Sequence, residues 1–141
     1  DESYANLDSI EGEDGEALID LEDYKERKAN VKRIIQEMEA HNNCITVKAK
    51  TNYNLYTLFA LIILEENLIK TPIELADAFD VFMDLVDIFR KAENPEELFA
   101  NEANKPENWN EAFTYYNATR GANTDLPQRT ERLEALKTVL L

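Results

Sequence analysis

The sequence predicts an all-α protein, and three observations support this prediction. Apolar residues recur every three or four positions over most of the chain, which is the period of one face of a helix. Two segments carry strong helix-start signals. The 141 residues include only three glycines and four prolines, which disfavours a turn-rich β fold. We expect about six helices in an orthogonal or irregular bundle.

The first predicted helix covers about residues 17–40, where the apolar residues keep one side of a helix apolar. It is expected to end at residues 41–43, His-Asn-Asn, which favour turns. Residues 45–50 then alternate apolar and polar side chains, which is the period of a half-buried strand. Because nothing else in the sequence indicates a partner strand, we predict a short extended connector here, or a strand whose partner lies outside this sequence.

Two central helices carry the clearest signals. Residues 51–68 are apolar on nearly every side, which predicts a helix surrounded by others. The next helix begins at Thr71-Pro72-Ile73-Glu74, which combines a hydroxyl cap, a proline at the first helical position and a glutamate three residues after the cap. The apolar stripe of this helix consists of Leu75, Phe79, Phe82, Val86 and Phe89.

Three further helices are predicted in the last third of the chain. Residues 94–97, Asn-Pro-Glu-Glu, repeat the helix-start signal and open a short helix. A turn at residues 104–106 leads to a helix over about residues 109–118. After a loop at residues 120–124, the last helix begins near Asp125 and carries leucines along one face.

The charge of the chain is distributed unevenly. Residues 1–23 hold ten acidic and no basic side chains, so they carry −10 of the formal net charge of −14. We expect residues 1–16 to form an acidic N-terminal arm, which its composition allows to be flexible, and residues 17–141 to form a single helical domain. A protein that mimics nucleic acid needs its charge spread over a rigid surface, so this distribution weakens that interpretation.

The cysteine count and the hydropathy bound the setting of the protein. Cys44 is the one cysteine and cannot form an internal disulfide, which predicts a reducing, cytoplasmic environment. The longest apolar run, residues 55–64, is short of the roughly 20 residues that a bilayer requires. The first residues lack the basic and apolar stretches of a secretory signal, and they also lack an initiator Met, which suggests a fragment or a processed chain.

Few residues are candidates for catalysis or for cofactor binding. One histidine, His41, and one cysteine cannot build a conventional zinc site. The three glycines form no phosphate-binding loop, and the Glu-x-x-His pairs of di-iron bundles are missing from the sequence. We therefore assign no catalytic residue, no metal and no cofactor. Whether the chain is an enzyme is left open, and a non-catalytic domain is favoured.

Four carboxylates are predicted on the side of the Thr71-Pro72 helix opposite its phenylalanines. At spacings of three, four and three residues they share one helical face. They could hold a divalent ion or receive a basic partner, and a solvated outer face is the favoured alternative. This candidate acidic face consists of Asp77, Asp80, Asp84 and Asp87.

Two basic sets are candidates for binding a partner or phosphate, because phosphate neutralisation requires several cations on one surface. The first set shares a helical face, but it follows an acidic segment and lacks interleaved aromatic residues, so direct nucleic-acid binding is not favoured. The alternative for the second set is pairing with the acidic helices. The first set is Lys25, Lys28 and Lys32, and the second is Arg120, Arg129 and Arg132.

A family resemblance is carried by the C-terminal part of the chain. Residues 115–125, Tyr-Tyr-Asn-Ala-Thr-Arg-Gly-Ala-Asn-Thr-Asp, and the arginine-containing residues 128–133 resemble the closing segment of GmrSD-type restriction proteins and their ParB-like nuclease relatives. Residues 50–56, which lead into an apolar helix, are also similar. The resemblance covers about the last two thirds of the chain, and it implies the helical part of a larger bacterial nuclease or phage-defence protein.

The catalytic half of that family is not represented in this sequence. Its Asp-Gly-Gln-Gln-Arg type motif for nucleotide hydrolysis is missing, and one histidine excludes a His-Asn-His nuclease module. The resemblance therefore implies a helical portion without the catalytic part.

The leading hypothesis is a non-catalytic helical packing or interaction domain of a larger prokaryotic restriction or phage-defence protein. Its partner is then the rest of a larger polypeptide or another protein, and neither nucleic acid nor a membrane is expected to bind directly. The alternative is a free-standing acidic protein that inhibits a basic nucleic-acid-binding partner through charge complementarity. A hydrolase that uses the aspartate row is least favoured, because no base or metal ligand is predicted to converge on it.

Overall fold

The computed structural model describes residues 21–65, 70–120 and 125–141. Within these ranges the chain forms seven α-helices and no strand, which confirms the all-α prediction. The predicted arm over residues 1–16, the start of the first predicted helix and the end of the second lie outside the described residues, as does most of the loop at 120–124. The helices are α1 Leu21–Asn42, α2 Cys44–Lys48, α3 Asn52–Leu64, α4 Pro72–Lys91, α5 Pro95–Asn101, α6 Trp109–Ala118 and α7 Leu126–Leu140.

Helix α4 is at the centre of the bundle and packs against α1, α2, α5, α6 and α7. Its predicted capping box is present: the Glu74 backbone N–H donates to the Thr71 hydroxyl at 3.2 Å, and the Thr71 backbone N–H donates to the Glu74 carboxylate at 3.0 Å. The cap fixes where the helix begins, and therefore which residues face inward. The predicted stripe of Leu75, Phe79, Phe82, Val86 and Phe89 is buried throughout.

Helix α3 packs against α1 and α7 and is the most apolar element. Every residue from 56 to 63 is buried, as expected for a helix that is apolar on nearly every side. No helix within the described ranges has the length and hydropathy to cross a bilayer.

Phe89 organises the aromatic contacts at the carboxyl end of α4. Its ring centroid lies 4.5 Å from that of Trp109, 5.1 Å from Phe113, and 6.3 Å from both Phe99 and Tyr116. Aromatic pairs of this kind contribute about 0.5–1.5 kcal/mol each beyond their buried area. Phe89 therefore holds α5 and α6 against the same end of α4.

The prediction of an extended segment at residues 45–50 is wrong, because Cys44–Lys48 forms the short helix α2. Asn43 has φ 58°, a left-handed conformation that asparagine tolerates better than most residues. It separates α1 from α2 and allows the chain to turn. A strand here would leave its backbone groups unpaired, whereas a helical turn pairs part of them locally.

Side chains of α1 stabilise the start of α2. The Asn42 side-chain oxygen accepts the Cys44 backbone N–H at 3.1 Å. The Glu39 carboxylate accepts the backbone N–H of Thr46 at 2.9 Å and also its hydroxyl, and these hydrogen bonds lower the pKa of Glu39. Local capping therefore outweighs the alternating pattern, and this additional helix accounts for seven helices where about six were expected.

Candidate functional site

The acidic face of α4 receives basic side chains from α1 and α2. Asp77 lies 2.9 Å from His41 Nε2, and the Lys48 ammonium pairs with both Asp80, at 3.6 Å, and Asp84. The basic partners of these three carboxylates therefore belong to the same chain. Ion pairs as exposed as these contribute about 0–1 kcal/mol each, so they align the helices more than they stabilise them.

Asp87, the fourth carboxylate of the row, pairs within its own helix. Its side chain lies 2.8 Å from Arg90 and 3.8 Å from Lys91. Among the residues that the structure describes, no group of three or more histidine, cysteine or acidic side chains is arranged to hold a metal ion.

The first basic set lies on α1. Lys25 and Lys32 are exposed, whereas Lys28 is half-buried, with its ammonium 6.0 Å from the centre of the Tyr24 ring. A role of these lysines in binding a partner or phosphate stays a prediction.

The second basic set does not form one surface. Arg120 pairs with Glu96 at 2.8 Å, and this hydrogen bond lowers the pKa of Glu96. Arg129 is half-buried in the first turns of α7. Arg132 is only 1% exposed, which corrects its prediction as a surface residue for phosphate or a partner. The reason is its helical position, because it shares the buried face of α7 with Leu136.

Arg132 is bound by polar and aromatic groups in the core. Its Nη1 donates to the Ala118 carbonyl at 2.8 Å, and its Nε lies 3.4 Å from the Thr57 hydroxyl. Its guanidinium carbon is 5.3 Å from the centre of the Tyr53 ring. Burial lowers the pKa of Arg132, and the neighbouring groups that act on this pKa are Tyr115, Tyr53, Arg129 and Tyr56. Within the described ranges, this buried cation therefore has no carboxylate counter-ion.

A second buried hydrogen bond lies beside Arg132. The Tyr115 hydroxyl donates to the Asn54 side-chain oxygen at 2.6 Å, and the Asn54 side-chain nitrogen lies 3.4 Å from the Lys48 carbonyl. Burial raises the pKa of Tyr115, so the hydroxyl stays protonated and acts as the donor. These contacts connect α6 through α3 to the end of α2.

A cleft of about 420 Å³ lies in front of these buried groups, between the end of α2, the start of α3, the second half of α4 and the end of α6. Tyr53 and Asn54 form part of its wall, so the wall is continuous with the polar groups around Arg132. Four cationic side chains and one carboxylate line the cleft: Lys48, Lys50, Arg90, Lys91 and Asp87.

Sequence reasoning did not predict this cleft or the buried polar groups behind it. Asn54 and Thr57 occur within an apolar helix, where buried polar groups require partners, and that was the available signal. The lining residues come from segments that are distant in sequence, so their proximity depends on the packing of α4 against α2 and α6.

Comparisons of the chain with protein-family models, with curated proteins and with solved structures found no match. The resemblance to GmrSD-type restriction proteins therefore stays a prediction.

Proposed function

We propose that this chain is a non-catalytic helical domain that binds a protein in a cytoplasmic restriction or phage-defence system of a prokaryote. The partner is the rest of a larger polypeptide or a separate protein. The observation that carries this proposal is an exposed apolar stripe on α4, the helix around which the bundle is organised.

The stripe lies beside the acidic row. Ile73, Val81 and Ile88 are 54%, 62% and 45% exposed, and Asp77 and Asp84 lie between them along the helix. Successive spacings of four, four, three and four residues place all five on one side of α4. We call these five residues the α4 outer face.

The chemistry of the α4 outer face favours a protein partner. A single exposed apolar residue is ordinary on a protein surface. Three on one stripe, interleaved with two carboxylates, offer a mixed apolar and charged surface, and protein–protein interfaces combine both kinds of side chain. The partner surface is then apolar opposite Ile73, Val81 and Ile88 and polar between these positions, since Asp77 and Asp84 are already paired with His41 and Lys48.

The two groups that most often act as nucleophile or base are poorly placed for catalysis. Cys44 is fully buried, and burial raises the pKa of its thiol to about 11. A thiol of this kind is inert at neutral pH. His41 lies against Asp77 on the surface of α4 and does not line the cleft described above. These positions support a non-catalytic role.

The test is a binding titration with purified proteins. Candidate partners are the protein segments encoded on either side of this chain and by the adjacent genes. The Val81→Ser, Ile88→Ser double variant is expected to keep its helical circular dichroism and to bind at least about tenfold more weakly, because it removes two of the three exposed apolar side chains of the α4 outer face.

The matched control is the Leu21→Ser, Leu126→Ser double variant, which removes two exposed apolar side chains from α1 and α7. It is expected to bind like the parent chain. Equal affinity for the Val81, Ile88 variant and the parent chain would contradict the proposal, as would turnover of a nucleotide or phosphodiester by the pure protein.

The acidic-inhibitor alternative depends on the N-terminal segment, which lies mostly outside the described residues. Deletion of residues 1–20 separates the two functions. An inhibitor that acts through charge loses its affinity for a basic partner, whereas a domain that binds through the α4 outer face keeps it. A steep fall of affinity with salt would also favour the inhibitor.

A further inference from the structure

We propose that the cleft between α2, α3, α4 and α6 binds a small, multiply charged phosphate compound. The cleft shares no residue with the α4 outer face, so this site is separate from the proposed protein interface. The inference rests on the charge of the cleft, the buried cation behind it, its free donors and its size.

The cleft concentrates positive charge in a chain of formal net charge −14. Its one lining carboxylate, Asp87, is shared by Arg90 and Lys91. Lys48 is paired with Asp80 and Asp84, which lie outside the lining of the cleft. Lys50 takes part in none of the ion pairs formed within the described ranges. The lining therefore keeps a positive excess that is suited to an anion.

A buried cation reinforces this excess from behind. Tyr53 lines the cleft, and the Arg132 guanidinium lies against its ring. Thr119 also lines the cleft and follows Ala118, whose carbonyl accepts a hydrogen bond from Arg132. Burial of a cation without a counter-ion is unfavourable. An anion in the cleft supplies compensating charge that the described part of the chain does not provide.

The cleft also offers hydrogen-bond donors that have no partner within the described ranges. The hydroxyl of Thr51 makes no capping hydrogen bond to α3, and the hydroxyl of Tyr53 likewise has no hydrogen-bond partner there. Together with the guanidinium of Arg90 and the ammonium of Lys50, these groups suit the several oxygens of a phosphate.

The size of the cleft selects a small molecule. Its volume of about 420 Å³ is within the range of small-molecule sites. Nucleic acid would instead need cations spread along an open surface. Several cations around one concave site match a compound with more than one negative charge, such as a diphosphate.

The test is a calorimetric titration of the full chain with inorganic pyrophosphate at low salt, with citrate in a parallel arm. Pyrophosphate is expected to bind at one saturable site, with an affinity that falls as salt increases. Citrate is expected to bind at least about tenfold more weakly. In amide NMR spectra, the pyrophosphate-dependent shifts are expected to include Lys50, Thr51 and Lys91.

The Lys50→Gln, Arg90→Gln double variant is expected to weaken pyrophosphate binding by at least about tenfold, and its side chains are exposed enough to leave the fold intact. The matched control, Arg33→Gln with Lys137→Gln, also removes one arginine and one lysine, both exposed, from α1 and α7. It is expected to change the affinity by less than about twofold.

Three outcomes overturn the proposal. The first is no binding of pyrophosphate at about 10 mM, which corresponds to an affinity too weak for a specific site. The second is an equal loss of affinity in both double variants, which would mean that the binding depends on the overall charge of the chain. The third is equal affinity for citrate and pyrophosphate, which removes the selectivity for phosphate.

Discussion

The guanidinium of Arg132, on α7, lies 5.3 Å from the ring centre of Tyr53, on α3. One face of Tyr53 thus belongs to the core, and the same residue lines the cleft. The contact is worth about 2 kcal/mol when a cation is desolvated against an aromatic ring. It links the packing of the last helix to the charge of a surface cleft formed by earlier parts of the chain.

The first prediction concerns this buried arginine. We expect Arg132→Ala to lower the free energy of unfolding by about 3 kcal/mol, because it leaves a cavity and removes the donor to the Ala118 carbonyl. Arg132→Met is expected to cost clearly less, because it removes the same desolvated charge but refills much of the volume. Urea unfolding measures both values. Equal losses would mean that the charge itself stabilises the fold.

The second prediction concerns the start of α4. Thr71→Ala is expected to lower the free energy of unfolding by about 1 kcal/mol, because the Glu74 backbone N–H loses its acceptor. Thr114→Ala, at an exposed position of α6, is the matched control and is expected to change stability by less than about 0.5 kcal/mol. Urea unfolding of both variants tests the cap, and similar effects would argue against it.

The third prediction concerns the aromatic contacts of Phe89. Phe89→Ala is expected to cost about 3–5 kcal/mol and to expose Trp109, whose ring packs against Phe89. Thermal unfolding and a red shift of tryptophan emission report the two effects. Ile88→Ala removes an exposed neighbour and is expected to leave both nearly unchanged. A Phe89→Ala variant with parental emission would contradict the packing described above.

The fourth prediction is a pH dependence that arises from Cys44. Burial first, and then the charges of Glu39 and Asp80, raise the pKa of this thiol from 9.0 to about 11. The neutral thiol is favoured in the folded state, so its stabilising contribution is complete below about pH 9 and is lost as the pH rises towards 11. The loss amounts to at most about 3 kcal/mol.

The measurement is urea unfolding of the parent chain and of Cys44→Ala at several pH values from 7 to 11. Cys44→Ala is expected to be less stable at neutral pH, because it leaves a small cavity, and to lose less stability above about pH 9. Parallel pH curves for the two proteins would exclude the contribution of the thiol.

The sequence predicted the fold well where local chemistry decides it. The capping box at Thr71 and Glu74 sets the start of α4, and its phenylalanine spacing sets the buried face, so both were confirmed. The helix α2 was missed because Glu39 and Asn42 cap it across a turn, whereas the alternation at residues 45–50 indicated a strand. The alternating pattern favoured a strand, the capping hydrogen bonds favoured a helix, and the helix is the structure that forms.

The candidate sites were predicted less completely. The acidic face of α4 follows from helical spacing alone, but its pairing with His41 and Lys48 depends on how α1 and α2 pack. Arg132 is predicted from the sequence to bind a partner or phosphate, whereas its helical phase matches that of the buried Leu136. The cleft joins residues 47–54, 83–91 and 116–119, and no local rule brings these segments together.

Helix α5 contributes no fully buried side chain, and its attachment to the bundle depends on half-buried residues such as Phe99. Detachment of α5 from the bundle therefore breaks few buried contacts. We expect its amides to exchange hydrogen with solvent through brief local opening, whereas the middle of α4 exchanges only when the whole molecule unfolds. Within the described ranges, a protease is then expected to cut first beside α5 and to leave a nicked protein whose two pieces stay associated.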